Sequence, residues 1–211
     1  MSGSSDRGRT GVFGGTFDPP HLGHLVAAQE AAEVLSLDRV LFIPARQSPH
    51  RMDEEASPAS LRLSMVRAAI AGHDRFEVED LELGREGPSY SVDTLEELAR
   101  RDESSERYLI LGADQWARFG SWHRPREVAR LARLALLTRE GDRPSAMDPG
   151  FEDGPAPEFV EVPMTRLDIS GTLIRARVRG RRSIRFLVPE AVCRIIEVEN
   201  LYLREIRSPG E

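Results

Sequence analysis

Short apolar runs alternate with helical segments along the chain, and this alternation constrains the fold more than any other feature. The runs "RVLFIPA" at 39–45 and "RYLILGAD" at 107–114 have the continuous apolar character of strands that are covered on both faces. The segment 24–37 has apolar residues at helical spacing. The sequence therefore predicts an α/β fold: a Rossmann-like, doubly wound parallel sheet with helices on both faces and a C-terminal helical element.

The domain organisation follows from the absence of any internal repeat or break in composition. We predict a single domain over residues 10–205, with flexible tails at 1–9 and 206–211. The segment 141–157 is rich in Gly, Pro and Asp, which indicates a loop. In a doubly wound sheet, ligands bind beyond the carboxyl ends of the strands, near the point where the strand order reverses. A site is therefore expected just after the predicted strands.

Composition excludes several classes of function. The net charge of −6 argues against a general nucleic-acid binder, and no apolar run approaches the roughly 20 residues that span a bilayer. The single cysteine, Cys193, excludes an internal disulfide and a cysteine-based zinc site. The first residues contain no apolar signal segment, so a cytoplasmic protein is the simplest expectation. All 29 basic residues are arginine, so any phosphate must be bound by guanidinium, imidazole or backbone N–H groups.

The stretch "GGTFDPPHLGH" at 14–24 carries the chemistry expected after the first strand. Its two leading glycines let the backbone come close to a ligand. A helix that begins near His21 directs unpaired N–H groups towards an anion. His21 and His24 are three positions apart, so both can reach the same phosphate chain from one side of that helix. This stretch therefore favours a phosphate site.

Two other interpretations of the histidine pair have to be weighed. Two histidines at this spacing can share a zinc ion, but a third ligand is hard to find. The remaining histidines are His50, His73 and His123, and none carries a metal-binding pattern. The pair could also simply pack at the start of a helix. Both interpretations explain less of the stretch than a phosphate site does.

The stretch resembles the signature of the HxGH nucleotidyltransferase superfamily. A second element, "DISGTLIRARVRG" at 168–180, is similar to the I-S-S-T-x-I-R element of that superfamily. The resemblance implies that Ser170, Thr172 and nearby amides bind phosphate oxygens, and that Arg175 adds a bidentate cation. Gly171 stands where the superfamily has a second serine. One hydroxyl is lost there, but the backbone amide remains, so phosphate binding is expected to survive.

Four further stretches are similar to bacterial nicotinate mononucleotide adenylyltransferases. They are "PARQSPHR" at 44–51, "GPSYSVDTLEEL" at 87–98, "LGADQWARFGSW" at 111–122 and "LVPEAVCRIIEVENLY" at 187–202. The resemblance extends over nearly the whole chain in the expected order. It departs from the family at Ser91, where threonine is usual, and at Ile195, where tyrosine is common.

The resemblance implies adenylyl transfer from ATP to nicotinate mononucleotide, which yields deamido-NAD and pyrophosphate. The acceptor phosphate is already an anion, so no general base is required, and catalysis consists of alignment and charge stabilisation. The implied catalytic residues are His21, His24 and Arg175. The implied ATP- and phosphate-binding residues are Gly14, Gly15, Thr16, Phe17, Gly23, Arg51, Gly112, Asp114, Ile169, Ser170 and Thr172. The implied nicotinate-nucleotide residues are Ser89, Tyr90, Ser91, Thr94 and Trp122. Mg²⁺ is expected to arrive with ATP, without a dedicated set of protein ligands.

Several alternatives stay open at the level of sequence. The phosphate acceptor could be phosphopantetheine or nicotinamide mononucleotide, or the chain could be a nucleotide-binding module without catalysis. Amide donors at the Ser89–Ser91 turn favour a carboxylate over a carboxamide, which predicts selectivity for the acid. The arginines that follow Arg175 up to Arg185 indicate a solvated face rather than a nucleic-acid site. The oligomeric state is not predicted.

Overall fold

The computed structural model describes residues 8–47, 56–139, 149–151 and 154–203. The strands are β1 (Arg9–Gly15), β2 (Arg39–Pro44), β3 (Phe76–Val78), β4 (Glu106–Leu111), β5 (Arg133–Thr138) and β6 (Phe159–Pro163). The α-helices are α1 (Leu22–Val34), α2 (Ala59–Ile70), α3 (Ser91–Arg101), α4 (Ala113–Trp116), α5 (Pro125–Leu131), α6 (Gly171–Arg179) and α7 (Glu190–Val198). A 3₁₀ helix at Phe119–Ser121 lies between α4 and α5.

The six strands form one parallel sheet in the order β3-β2-β1-β4-β5-β6. From β1 the chain first adds strands on one side and then returns to add β4, β5 and β6 on the other. This confirms the predicted Rossmann-like, doubly wound fold. The order reverses between β1 and β4, so a crevice opens beyond their carboxyl ends, where ligands bind in folds of this kind.

Alternate residues of the central strands serve two hydrophobic layers. Phe13 and Phe42 pack with α1 on one face of the sheet, whereas Val12 and Leu41 pack with α3 and α5 on the other. Helix α1 buries only alanines, Ala27, Ala28, Ala31 and Ala32, so its backbone lies close to the sheet. Coverage on both faces explains why the strands are continuously apolar.

The predicted C-terminal helical element is confirmed. A third apolar cluster joins α2 to α6 and α7 through Met65, Ile174, Val192 and Ile196. This cluster holds the N-terminus of α6 against the carboxyl edge of the sheet. The segment that carries the second signature is therefore brought back to the segment that carries the first.

Some boundaries differ from those predicted from sequence. The apolar alternation at 75–83 predicts a strand, but only Phe76–Val78 pairs with β2, and the chain then turns at 81–84. An edge strand has a partner on one side only, and here β2 itself ends two residues later, so there is little to extend the pairing. Strand β1 begins at Arg9, inside the predicted tail, and α2 begins after Pro58 rather than Ser57.

Parts of other predicted segments lie outside the described residues. These are 1–7 and 204–211 at the ends of the chain and most of the predicted loop 141–157. The limits of the domain therefore stay a prediction. Within the described part of the chain, no helix is both long and apolar enough to cross a membrane.

Candidate active site

Two adjoining cavities lie at the carboxyl edge of the sheet, at the reversal of strand order between β1 and β4. The "histidine cavity" has a volume of about 650 Å³ and is lined by His21, His24, Asp114, Arg175 and their neighbours. The "serine cavity" has a volume of about 490 Å³ and is lined by Ser89–Ser91, Trp122 and their neighbours. The two share Gly14, Gly15, Thr16, Gln115 and Trp122 in their walls. One substrate can therefore meet another at the end of β1.

The histidine cavity brings together nearly all of the residues predicted to hold ATP. Both histidines and Arg175 line it. So do Gly14, Gly15, Thr16, Phe17, Gly23, Gly112, Asp114, Ile169, Ser170 and Thr172. Arg51, the remaining member of that set, lies outside the described residues. Two segments that are far apart in sequence thus face one volume.

The two histidine rings are stacked, with their centroids 3.7 Å apart. His24 Nδ1 accepts a hydrogen bond from the backbone N–H of His21 at 3.2 Å, so a neutral His24 carries its proton on Nε2. Burial lowers the pKa of His21 to about 4, and burial together with its neighbour lowers the pKa of His24 well below 6.5. Both rings are therefore neutral near pH 7 and can donate N–H groups to an anion.

The segment that contains these rings is closely packed. Phe17 has φ of +49°, and the bond between Asp18 and Pro19 is cis. A Cβ on Gly15 would lie 3.1 Å from the Phe17 ring, and one on Gly23 would lie 3.1 Å from His21 Nδ1. The space that Gly23 leaves is thus occupied by the His21 ring, which explains why a glycine separates the two histidines of the signature.

The N-terminus of α6 forms the opposite wall of the histidine cavity. Ser170 caps this helix, since its Oγ accepts a hydrogen bond from the N–H of Leu173 at 3.1 Å. Arg175 Nη1 donates to the backbone carbonyl of Asp18 at 2.7 Å. A Cβ on Gly171 would lie 2.9 Å from that carbonyl oxygen. The departure from serine at 171 therefore lets α6 lie directly against the loop before α1.

A second contact joins the same two parts of the chain. Both carboxylate oxygens of Glu30, on α1, accept hydrogen bonds from Thr165, one from its backbone N–H at 2.8 Å and one from its hydroxyl at 2.6 Å. Thr165 lies in the segment that leads from β6 into α6. The N-termini of α1 and α6, each with the positive end of a helix dipole, thus face one cavity from fixed positions.

The serine cavity contains four of the five residues predicted to hold the nicotinate nucleotide: Ser89, Tyr90, Ser91 and Trp122. The N–H of Ser89 donates to the carbonyl of Gln47 at 2.9 Å, and its hydroxyl accepts from the N–H of Arg46 at 3.0 Å. These bonds anchor the turn before α3 on the loop that follows β2. The Trp122 ring packs against Phe119 with centroids 5.1 Å apart, so an aromatic face borders the cavity.

The fifth predicted residue, Thr94, does not line either cavity. It is buried, and its hydroxyl donates to Glu82 at 2.8 Å and accepts from Arg85 Nη1 at 3.0 Å. Thr94 therefore contacts a wall residue of the serine cavity, Glu82, and does not line the cavity itself. Glu82 itself lines the serine cavity at 6 % exposure, and burial raises its pKa. The apolar alternation at 75–83 predicts a strand, so the sequence gives no indication that Glu82 lines a cavity.

Sequence reasoning also missed two cations. Arg118 and Arg139 line the histidine cavity with Arg175. Arg139 directly follows β5, so the rule that ligands bind at strand ends could have found it. Arg118 follows the short helix α4 and carries no such signal. Three guanidinium groups therefore border the volume in which a polyphosphate would lie.

The described residues do not form a preassembled metal centre. Among them, no group of three or more His, Cys, Asp or Glu side chains lies close enough to hold an ion. Asp18 and Asp114 border the histidine cavity, but Asp18 is engaged by its neighbours in the protein. Phosphate oxygens are themselves good ligands for Mg²⁺, so a metal ion fits this cavity as part of a nucleotide complex.

Comparisons with known proteins agree with this geometry. The cytidylyltransferase-like family matches residues 12–177. A protein of Corynebacterium kroppenstedtii named "Probable nicotinate-nucleotide adenylyltransferase" is 42 % identical over 203 residues, which cover 96 % of this chain and 95 % of that one. A protein of Geobacillus thermodenitrificans with the same name is 41 % identical over 195 residues, which cover 92 % of this chain and 86 % of that one.

Solved structures share the fold at much lower identity. The nicotinic acid mononucleotide adenylyltransferase of Plasmodium falciparum, solved in complex with NaAD, superposes with a TM-score of 0.77 at 17 % identity. The alignment covers 93 % of this chain and 98 % of that one. With APC bound, the TM-score is 0.75. On the extent of the match to the bacterial relatives, the chain belongs to the nicotinate-nucleotide adenylyltransferases of the cytidylyltransferase-like family.

Proposed function

We propose that this chain transfers the adenylyl group of ATP to nicotinate mononucleotide, with deamido-NAD and pyrophosphate as products. One observation carries the proposal: the histidine cavity, with two helix N-termini and a stacked histidine pair, adjoins the serine cavity and shares wall residues with it. The names of the relatives point to the same reaction. A polyphosphate fits the first cavity, and a pyridine nucleotide fits the second.

The acceptor needs no general base from the protein. A phosphate monoester has its second pKa near 6, so the 5′-phosphate of the acceptor is largely a dianion at neutral pH. It attacks the α-phosphorus of ATP in line, the bond to the β-phosphate oxygen breaks, and pyrophosphate leaves with that electron pair. Because nucleophile and leaving group are both anions, the protein accelerates the step by aligning them and by stabilising the growing charge.

His24 donates from Nε2 to a phosphate oxygen, since its Nδ1 is already an acceptor for the backbone of His21. His21 stacks against it and presents a second imidazole to the same volume. Across the cavity, the amides at the N-terminus of α6 and the side chain of Thr172 bind further oxygens. Arg175 still has N–H groups for the leaving group beyond its bond to Asp18.

The acceptor nucleotide lies in the serine cavity. The face of Trp122 packs on the pyridine ring, and the backbone N–H groups of Tyr90 and Ser91, at the start of α3, are donors to the nicotinate carboxylate. Asp114 is an acceptor for ribose hydroxyls in the neighbouring histidine cavity. Contacts from Arg51 to phosphate stay a prediction, because this residue lies outside the described part of the chain.

ATP enters as its Mg²⁺ complex. When bound, the ion neutralises part of the triphosphate charge and screens the oxygens from the incoming acceptor phosphate. The chain supplies the remaining positive charge through Arg118, Arg139 and Arg175. The expected cytoplasmic location stays a prediction.

The decisive experiment measures pyrophosphate release with ATP, Mg²⁺ and one acceptor at a time. The expected result is rapid release with nicotinate mononucleotide, with deamido-NAD identified by chromatography. Slower release with nicotinamide mononucleotide would support the predicted selectivity for the acid. Turnover with phosphopantetheine alone, or nucleotide binding without turnover, would contradict the proposal.

A further inference from the structure

Tyr202 lies near the end of the described chain, yet its side chain reaches the loop that carries the histidine pair. Its hydroxyl donates to Asp18 Oδ1 at 2.5 Å, across 184 positions of sequence. Asp18 lines the histidine cavity and lies three residues before His21. A residue from the C-terminal segment thus contacts a wall residue of the phosphate-binding volume directly.

Asp18 is the point at which several parts of the site meet. Its other carboxylate oxygen, Oδ2, accepts from the backbone N–H of Ser57 at 3.2 Å, and its carbonyl accepts from Arg175 at 2.7 Å. The side chain is only 8 % exposed. The backbone between β1 and α1 belongs to no strand or helix, so these contacts fix its position. Where Asp18 lies therefore determines where both His21 and Arg175 lie.

A buried guanidinium supports the same loop. Arg62, on α2, is 1 % exposed and donates to the carbonyls of Thr16 at 2.8 Å, Ala45 at 2.6 Å and Ser57 at 2.9 Å. Its charge attracts the carboxylate of Asp18. A buried carboxylate without such a partner would be costly, and here it has both a cation and two hydrogen-bond donors.

The backbone of Tyr202 has an uncommon conformation. Its φ is +64°, in the left-handed region that a bulky side chain rarely adopts. Such a conformation persists where surrounding contacts over-determine it, and residues of this kind cluster at functional sites. Burial, followed by the adjacent carboxylate, raises the pKa of the Tyr202 phenol, so it stays protonated and donates its hydrogen.

We propose that Tyr202 is a positioning residue for adenylyl transfer. Its hydroxyl holds Asp18, and Asp18 in turn holds Arg175 and the loop between β1 and α1 in the positions that bind the triphosphate. The proposal rests on the proposed function and adds the end of the chain to the active site. It predicts a defect confined to the ATP side of the reaction. The serine cavity is lined by Ser89–Ser91, Trp122 and their neighbours, and Tyr202 is not among the lining residues.

Tyr202→Phe tests the proposal, with Tyr108→Phe as a matched control. The phenol of Tyr108 also donates to a carboxylate, Glu106 Oε2 at 3.0 Å, but Tyr108 lies on β4, and neither cavity is lined by it. For Tyr202→Phe we expect kcat/KM for ATP to fall about tenfold, since one hydrogen bond to a charged group is lost. The KM for nicotinate mononucleotide and the thermal midpoint should stay close to those of Tyr108→Phe. Equal ATP-side parameters in the two variants would overturn the proposal.

A double-mutant cycle separates positioning from general stability. Asp18→Asn removes the charge that Tyr202 holds, so adding Tyr202→Phe to it should cause less than half of the loss in kcat/KM that it causes alone. Full additivity would show that Tyr202 acts by another route and would also overturn the proposal. This cycle remains informative if Tyr202→Phe lowers the thermal midpoint.

A binding measurement distinguishes failure of this proposal from failure of the proposed function. Titration calorimetry with Mg²⁺ and α,β-methylene-ATP, which cannot transfer its adenylyl group, requires no turnover. We expect about tenfold weaker binding to Tyr202→Phe and wild-type affinity for Tyr108→Phe. If the wild type releases no pyrophosphate with nicotinate mononucleotide, the proposed function fails, and this difference in affinity still decides the role of Tyr202.

Discussion

Arg175 Nη1 donates a hydrogen bond to the backbone carbonyl of Asp18 at 2.7 Å, across 157 positions of sequence. This bond joins the N-terminus of α6 to the loop before α1, so the two signatures form one site before any substrate is bound. The remaining N–H groups of the guanidinium are directed by that bond, because the fork of an arginine is planar and rigid. The predictions below concern this junction and the elements that support it.

His24→Ala is expected to lower kcat by about 10²–10³-fold, the usual cost of removing one donor to a developing oxyanion. The ring also packs edge-on against Phe17 at 5.0 Å, so a modest fall in the thermal midpoint is expected as well. His73→Ala is the control. The His73 ring stacks on Phe76 with centroids 3.5 Å apart, and His73 lines neither cavity. Pyrophosphate release and thermal unfolding measure the two effects. A kcat within threefold of wild type would refute the phosphate role of His24.

The stability of the ligand-free protein should fall between pH 6.5 and 4 because of His21. Its folded pKa is about 4, whereas the unfolded chain takes up a proton near 6.5. In that window the unfolded state binds more protons, so the free energy of unfolding decreases as the pH falls, by up to about 3 kcal/mol. Carboxylates also titrate there, so the measured quantity is the difference between wild type and His21→Gln in urea unfolding. A difference that does not change with pH would contradict the lowered pKa.

Gly171→Ser restores the serine of the superfamily pattern but should decrease activity. A Cβ at this position would lie 2.9 Å from the carbonyl oxygen of Asp18 and 3.1 Å from Arg175 Nη1, so the loop or the helix must move. Gly171→Ala should cause the same several-fold loss in kcat/KM for ATP. Gly84→Ala, where a Cβ meets nothing within 4 Å, is the control. If the serine variant gained activity while the alanine variant lost it, the missing hydroxyl would matter more than the close contact.

Arg62→Met is expected to destabilise the fold by about 3 kcal/mol or more, because several buried carbonyls lose their donor at once. The guanidinium also donates to the carbonyl of Arg46 at 3.1 Å, so the loops after β1 and β2 both loosen. Arg67→Met on the same helix is the control. Arg67 is exposed and forms only a 3.7 Å ion pair with Asp80, so its loss should cost less than 1 kcal/mol. Equal urea unfolding midpoints for Arg62→Met and Arg67→Met would show that the hydrogen bonds of Arg62 do not stabilise the fold.

Glu82→Ala should raise the KM for nicotinate mononucleotide several-fold and leave the KM for ATP nearly unchanged. Glu82 accepts from Thr94, Thr94 accepts from Arg85, and the carbonyl of Arg85 accepts from Arg46 at 2.6 Å. Arg46 in turn binds Ser89 in the wall of the serine cavity. Removal of the glutamate thus loosens the turn that offers N–H donors to the carboxylate.

The control for that variant is Glu77→Ala, on the edge strand β3. The side chain of Glu77 is half exposed and forms only a 3.8 Å ion pair with Arg39. Steady-state kinetics with each substrate varied in turn give the two KM values for each variant. A rise in both KM values for Glu82→Ala would indicate a general disturbance instead of an effect on the serine cavity.

Local patterns in the sequence predict the helices and strands well, because these elements depend mainly on residues that are close together in sequence. The alternation of buried strands and helices predicts the doubly wound sheet, and the two signatures mark the N-termini of α1 and α6 that the structure places on one cavity. The length of β3 is not predictable in this way. It depends on how far β2 extends, and not on the apolar alternation at 75–83.

The residues that sequence reasoning missed depend on distant partners. Arg62 has the pattern of a solvated helix position, yet it is buried because carbonyls of three loops converge on it. Glu82 lies in a segment whose pattern is typical of a strand, yet it is buried and accepts a hydrogen bond from the hydroxyl of Thr94. The contact between Asp18 and Tyr202 joins positions near opposite ends of the chain. Such pairings become visible only when the fold brings the partners together.

The two hydrogen bonds between Glu30 and Thr165 have a consequence for the energetics of substrate binding. Together with the contact of Arg175, they fix the spacing between two helix N-termini while the cavity between them is still open. Most of the entropy of ordering the phosphate-binding groups is therefore lost when the chain folds, and little is left to lose when ATP arrives. N–H donors that already point into the cavity also need no reorganisation as the transition state forms. Affinity for ATP and the rate of adenylyl transfer are thus both determined largely by how the chain folds.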